Sequence, residues 1–197
     1  MPNDGCAIGS AGQAAGGSAY PGARKGKVII RRANAADAET LSALSRDTFT
    51  ETFGHLYAPA DLRDYLDASY APARYAAQME EQGCALWLLE DEGRARGYVM
   101  AGPCKLPHAG VRPGDMELMR LYVHRELQNG GHGARLFAQA MEWIAANGPA
   151  SCWLGVWSEN LGAQRFYQRH GFTKVGEYLY EVGNASDLEF IFRRDME

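Results

Sequence analysis

The chain has 197 residues, 46% of them hydrophobic and 11% aromatic, enough for one domain with an ordinary core. Its formal net charge of −4 and pI near 5.8 argue against a nucleic-acid partner, which usually demands a basic face for phosphate neutralisation. No apolar run approaches the roughly 20 residues of a membrane helix, and none follows the start methionine, so a cytoplasmic protein with no membrane partner is expected.

Residues 1–26 are dominated by Gly, Ala, Ser and Asn without apolar periodicity, and are expected to form a disordered tail ahead of a domain spanning 27–197. A targeting segment is the alternative, disfavoured by Asp4 and the lack of a hydrophobic run. Val28, Ile29 and Ile30 predict a first strand, and Asn34 and Asp37 are N-cap candidates for a helix running to about Thr52, with Leu41, Leu44, Thr48 and Phe49 on one face. Two shorter helices follow, about Pro59 to Ser69 and Pro72 to Gln82, each with proline in its first turn. Ala85 to Glu90 and Gly97 to Gly102 read as a strand pair joined at Asp91-Glu92-Gly93.

After a Gly/Pro-punctuated loop, Met116 to Val123 is a further strand, and Phe137, Ala140, Met141 and Ile144 mark a helix ending near Gly148-Pro149. Ser151 to Val156 predicts a strand, Leu161 to Arg169 a helix, and Lys174 to Val182 with Asp187 to Arg193 a last strand pair turning at Gly183-Asn184. The sum is an α/β (α+β) domain whose mixed, mostly antiparallel sheet of about six to seven strands is flanked by helices.

The four cysteines, Cys6, Cys84, Cys104 and Cys152, form no C-x-x-C pair, so neither a disulfide framework nor a metal site is indicated. His124, His132 and His170 match no metal-ligand spacing, and capping or surface roles suffice for them. Cys152 lacks any patterned histidine to activate it and reads as a packing residue.

The most informative stretch joins the strand Glu117 to Val123 to the turn Gln128-Asn129-Gly130-Gly131-His132-Gly133-Ala134. Glycines admit φ > 0 and close approach to a ligand, and the N–H groups that open the next helix attract anions together with its dipole. Such turns also occur for purely structural reasons. A P-loop is excluded because Ala134 and Arg135 stand where Lys and Ser/Thr would follow Gly133, and a Rossmann fingerprint fails because its third glycine would fall at Leu136.

Gln128-x-x-Gly131-x-Gly133-x-x-Leu136 resembles the acetyl-CoA signature of the GNAT N-acetyltransferases. Trp153 to Asn160, followed by Ala163-Gln-Arg-Phe166-Tyr167-Gln-Arg-His-Gly171-Phe172, is similar to the second motif of that family at the right separation. Within the family, Ser45 to Phe53 and Trp153-Leu-Gly-Val-Trp157 are similar to the bacterial PaiA-type spermidine/spermine N-acetyltransferases. The resemblance implies the GNAT fold and acetyl-CoA as co-substrate. It assigns Leu121, Tyr122 and Val123 to the pantetheine arm and Gln128, Asn129, Gly130, Gly131, His132, Gly133 and Ala134 to the pyrophosphate. Asn160, Ala163 and Tyr167 complete the implied cofactor contacts.

Acetyl transfer to an amine requires an acceptor for the ammonium proton, stabilisation of an oxyanion and a proton for the departing thiolate. By resemblance Tyr167 is the acid; on the residues alone a tyrosine there is more often a packed, hydrogen-bonded core residue. Glu117 is the candidate base, with an exposed strand-end carboxylate and a water chain as the alternatives. Asp47 and Glu51, spaced i,i+4, and Asp61, Asp64 and Asp67 would suit a cationic acceptor, although charge stripes on helices are commonly solvated faces. The expected substrate is a small primary amine, a polyamine by resemblance. A protein N-terminus, an amino acid or peptide, an aminoglycoside, and an acyl-CoA sensor without turnover stay open, as does a homodimer.

Overall fold

A computed structural model describes residues 27–196, so the expected N-terminal tail lies outside the described residues. The elements are β1 (Ile29–Arg32), α1 (Ala38–Phe53), α2 (Pro59–Ser69), α3 (Pro72–Glu80), β2 (Ala85–Asp91), β3 (Arg94–Pro103), β4 (Met116–Val123), α4 (His132–Ala146), β5 (Ser151–Trp157), α5 (Leu161–Arg169), β6 (Thr173–Val182) and β7 (Ala185–Asp195). Among the described residues no helix is long and apolar enough to cross a membrane.

The seven strands form one sheet in the order β1-β2-β3-β4-β5-β7-β6, antiparallel except where β4 meets β5. The first strand is shifted from the apolar run Val28 to Ile30 to Ile29–Arg32, because Arg31 is anchored by Asp37 and Glu90 while Arg32 stacks over Trp87. Strands β3 and β7 extend beyond their apolar stretches: cross-strand pairing carries Arg94 and Ala95, and Arg194 and Asp195, into the ladder, with Arg96 left as a bulge. The β2–β3 turn has Glu92 at φ 50 and Gly93 at φ 76, positive at both central residues as a type I′ hairpin requires.

Both faces of the sheet are covered. Leu121, Val123, Leu154 and Val156 point to the side of α4 and α5, where Leu136, Phe137, Phe166 and Tyr167 pack on them. Leu86, Leu88, Tyr98 and Tyr122 point the other way, beneath Leu41, Phe49 and Phe53 of α1 and Tyr75 of α3. In β4 the register slips so that Arg120 faces Met100 while Leu118 faces Ala101, leaving Met119 as a bulge. A bulge turns two successive side chains to one face, and Met119 and Arg120 both enter the α1 side. There Arg120 is buried, with its Nη1 donating to Tyr75 Oη at 3.1 Å and its guanidinium over the Tyr70 ring.

The α1–α2 segment is strapped to the β6–β7 hairpin by polar links. Tyr57 donates to Asp187, Tyr65 and Tyr180 share a 2.7 Å hydroxyl contact, and Asn184 donates to Asp61 at 3.1 Å. These helices therefore roof the β5–β7 half of the sheet as well as β4.

Candidate active site

The parallel pair β4–β5 is joined only at Met116↔Cys152 and Glu117↔Trp153; beyond these residues the two strands separate. Asp115 staples the closed end: its Oδ1 accepts from Ser151 N at 3.2 Å, and its Oδ2 from Trp153 Nε1 at 2.9 Å and Arg112 N at 3.0 Å. At the open end, β4 runs into the glycine turn and β5 into α5. The split is thus a consequence of where β4 and β5 are tied and where their connections lead.

Alternate residues of a strand aim their peptide groups at opposite neighbours. His124 N donates to Arg96 O on the β3 side, so the peptide groups of Leu121 and Val123 look toward the side that β5 has left. Gln128 Nε2 donates to Val123 O at 2.9 Å, which ties the glycine turn to the end of β4.

Asn129 at φ 64 and Gly131 at φ 78 are both left-handed, with Gly131 as the N-cap of α4 and His132 its first residue. Alternating left- and right-handed residues turn successive N–H groups to one concave side, where the dipole of the 15-residue α4 adds positive potential. A Cβ on Gly131 would meet no protein atom within 4 Å, so the turn stands open at that point. The residues fit a pyrophosphate: a concave backbone donor set in an acidic chain, with Gly130, Gly133 and Ala134 adding no bulk. His132 packs its ring against Gly130, whose Cβ would come within 2.9 Å of it.

At the mouth of the split, Glu51, Thr52, Arg125, Gln128, Trp157, Glu159 and Asn160 line a cavity of about 210 Å³. Asn160 caps α5, accepting from Ala163 N at 3.0 Å. Tyr167, fully buried, lies two turns into α5 against the rings of Phe137, Phe166 and Phe172.

Glu117 is on the opposite face. It is 1% exposed, so the exposed strand-end alternative is corrected: the 104–114 loop closes over it, with Lys105 N donating to its Oε2 at 2.9 Å. Its buried Oε1 has no hydrogen-bond partner among the described residues. Desolvation raises its pKa to about 7 against the opposing pull of Lys105 and Arg120. Glu117 and Tyr167 therefore belong to different faces of one sheet, and the gap between β4 and β5 is where those faces communicate.

Sequence reasoning did not find Asp115 or Glu189. Glu189 is 2% exposed on the α1 side of β7, accepts from Tyr178 Oη at 2.5 Å and is pushed up to about 8 chiefly by burial. Its neighbours Leu188, Phe190 and Phe192 make it read as the solvent side of a half-buried strand, and no local signal distinguishes it. Of the helical acids, Glu51 lies at the cavity mouth, bonded by His124 Nε2 at 3.2 Å, and Asp47 lies beside it. Asp67 pairs with Arg46, Asp64 with Arg63, and Asp61 holds Asn184, so that stripe serves the helices and their strap rather than the mouth. Cys152 is fully buried and its thiol is raised, which suits packing.

The seven-stranded sheet is thus split at its one parallel pair, with the glycine turn that opens α4 at the open end and a buried carboxyl on the opposite face. The model of the acetyltransferase (GNAT) family matches residues 40–172, and the chain belongs to that family. It is 27% identical over 167 residues to an uncharacterized N-acetyltransferase of Lactobacillus delbrueckii subsp. lactis, covering 85% of this chain and 96% of the relative. A PaiA N-acetyltransferase from Thermoplasma acidophilum, crystallised with coenzyme A, superposes with a TM-score of 0.68 at 20% identity, over 86% of this chain and 99% of that one. The ribosomal-protein-S18-alanine N-acetyltransferase of Escherichia coli superposes with a TM-score of 0.64 at 14% identity, over 87% and 95% of the two chains. At these identities the solved structures establish the fold.

Proposed function

We propose that this GNAT acetyltransferase transfers the acetyl group of acetyl-CoA directly to a primary amine of a polyamine such as spermidine or spermine. The observation that carries the reading is Glu117, a buried carboxyl with one oxygen unpartnered among the described residues, on the α1 side of the β4–β5 split. Acetyl-CoA is the co-substrate and supplies an activated thioester. The N–H groups of Asn129 to Ala134 hold its pyrophosphate, the Leu121 to Val123 backbone its pantetheine arm, and Asn160 and Ala163 flank that arm at the start of α5.

Amines reach the enzyme mostly as ammonium ions, and Glu117, with a pKa near 7, is poised to take the proton at neutral pH. Tyr167 donates its hydroxyl proton toward the departing sulfur from the α5 side. Proton acceptance and donation are then separated by the sheet itself, so the acid cannot quench the base. The polyamine assignment is supported by the likeness to PaiA enzymes and by Glu51 at the mouth, with Asp47 one helical turn away from it.

The test is thiol release from acetyl-CoA across an amine panel. Saturable release with spermidine or spermine is expected. Failure of both, beside an alanine-terminated peptide or an amino acid that does react, would overturn the polyamine assignment and leave acetyl transfer intact.

A further inference from the structure

We propose that Glu189 is the specificity-determining contact for a second cationic nitrogen of the acceptor, with Tyr178 holding its carboxyl in position and Trp157 beside it. The proposal rests on the amine-acceptor reading above and adds to it a residue from a different strand and a requirement on the substrate: a second positive charge.

Trp157 of β5 is the direct cross-strand partner of Glu189, and both belong to the α1 side of the sheet. Directly opposed residues on one face have their Cβ atoms about 5 Å apart. Trp157 also lines the mouth cavity, with its ring held edge-on by Phe53 at 5.5 Å. Glu189 thus stands next to the cavity wall, on the same face as Glu117. Between Trp153 and Trp157 that face of β5 carries only Gly155, so no side chain from β5 fills the space flanked by the two carboxyls.

The surroundings of Glu189 do not explain an acid. Among the described residues it forms no ion pair with a lysine or arginine; the groups that bear on it are the Tyr178 hydroxyl and two further acids, Asp187 and Glu117. Tyr57 is already committed to Asp187. Burying a carboxyl without a cation is costly, and a purely structural position would be better filled by an amide or an apolar residue. Glu117 repeats the pattern, with a buried oxygen that has no partner among the described residues. Two buried acids on one face of the sheet, Glu117 with an unpartnered oxygen and Glu189 without a basic partner among the described residues, the latter one cross-strand step behind the cavity-lining Trp157, are complementary to two cationic nitrogens of a single flexible chain. The raised state of Glu189 agrees: burial disfavours its charge, and an ammonium beside it would restore the charge.

The experiment compares spermidine with butylamine in steady-state thiol release by the full-length enzyme and its Glu189→Gln variant. Wild type is expected to favour spermidine. The variant should raise KM for spermidine by about 10- to 100-fold, the range for loss of a charge-assisted hydrogen bond. Its kcat, its KM for acetyl-CoA and its KM for butylamine should stay within about threefold, the scatter expected for an isosteric change. A merely structural Glu189 would move all of these together, and an unchanged KM for spermidine would also overturn the proposal. If Glu189→Gln does not fold, Tyr178→Phe decides: a KM rise confined to spermidine supports the proposal and none refutes it. Should wild type use neither polyamine, the polyamine reading fails, and Glu189 is judged on the best acceptor found. A dicationic acceptor whose KM rises in Glu189→Gln supports the proposal, and an acceptor with a single cation overturns it.

Discussion

The turn that opens α4 takes its residues from one run, Gln128 to Ala134, whereas the opposite face collects Glu117 from β4, Trp157 from β5, Tyr178 from β6, Glu189 from β7 and Phe53 from α1. The first is held by local backbone geometry, two left-handed residues and one side-chain bond to Val123. The second exists only when strands distant in sequence pair and the α1–α2 segment is strapped to the β6–β7 hairpin. A glycine turn is specified by neighbours in the chain, whereas a pair of buried carboxyls is specified only by long-range burial.

The largest effect is expected at Glu117. Glu117→Gln should lower kcat/KM by about 10²- to 10⁴-fold, the usual worth of a positioned general base. In wild type the rate should rise with pH through about 7, because burial raises the carboxyl and only the ionised form accepts a proton. The pH–rate profile of both proteins checks this; the same limb in the variant would assign it to another group.

On the other face, Tyr167→Phe should reduce kcat by about 10- to 10³-fold with acetyl-CoA affinity nearly unchanged. Calorimetry and single-turnover kinetics separate the two effects, and activity within about twofold of wild type would make Tyr167 a packing residue only.

The local character of the turn is tested by Gly131→Val. A left-handed φ of 78 costs a side-chain-bearing residue about 1–2 kcal/mol, while the new Cβ meets no protein atom within 4 Å. Because the new side chain stands in the open space proposed for the pyrophosphate, acetyl-CoA affinity should drop at least about tenfold with spermidine KM little changed, whereas the backbone strain lowers stability in the free and bound protein alike. A drop in both would show that the two regions are coupled.

A separate effect concerns stability rather than rate. Glu189, near 8 when folded, keeps a proton that the unfolded carboxyl loses above about 4.3. The folded state then binds more protons, so this group's contribution to stability falls as pH rises from about 4.3 to about 8. Glu189→Gln removes that slope, and its stability relative to wild type should grow between pH 5 and pH 8 by on the order of a few kcal/mol. Urea unfolding at both pH values measures it, and an equal difference at the two would contradict the buried, raised state.

Much of the architecture was legible because it is written in short-range patterns. The hairpin turns at Glu92-Gly93 and Gly183-Asn184, the proline starts of α2 and α3, and β4 at Met116–Val123 follow from turn chemistry and apolar spacing. Strand ends were less legible, since Arg94, Ala95 and Arg194 join the ladder through their partners rather than their own propensity. The burial of the acids was the least legible feature. Alternation in Met116 to Leu118 and in Leu188 to Phe190 places each acid on the face opposite its apolar neighbours, and whether that face is wet or covered depends on segments distant in sequence.

By itself, then, the sequence determined the order of strands and helices and the glycine turn at the start of α4, because φ preferences, capping and apolar period act over a few residues. Only the tertiary structure decided that β4 and β5 are stapled at Asp115 and part beyond Glu117, and that the 104–114 loop and α1–α3 cover the second face. Burial depends on what other segments lay over a side chain, and that same burial turns two ordinary glutamates into carboxyls raised to about 7 and about 8.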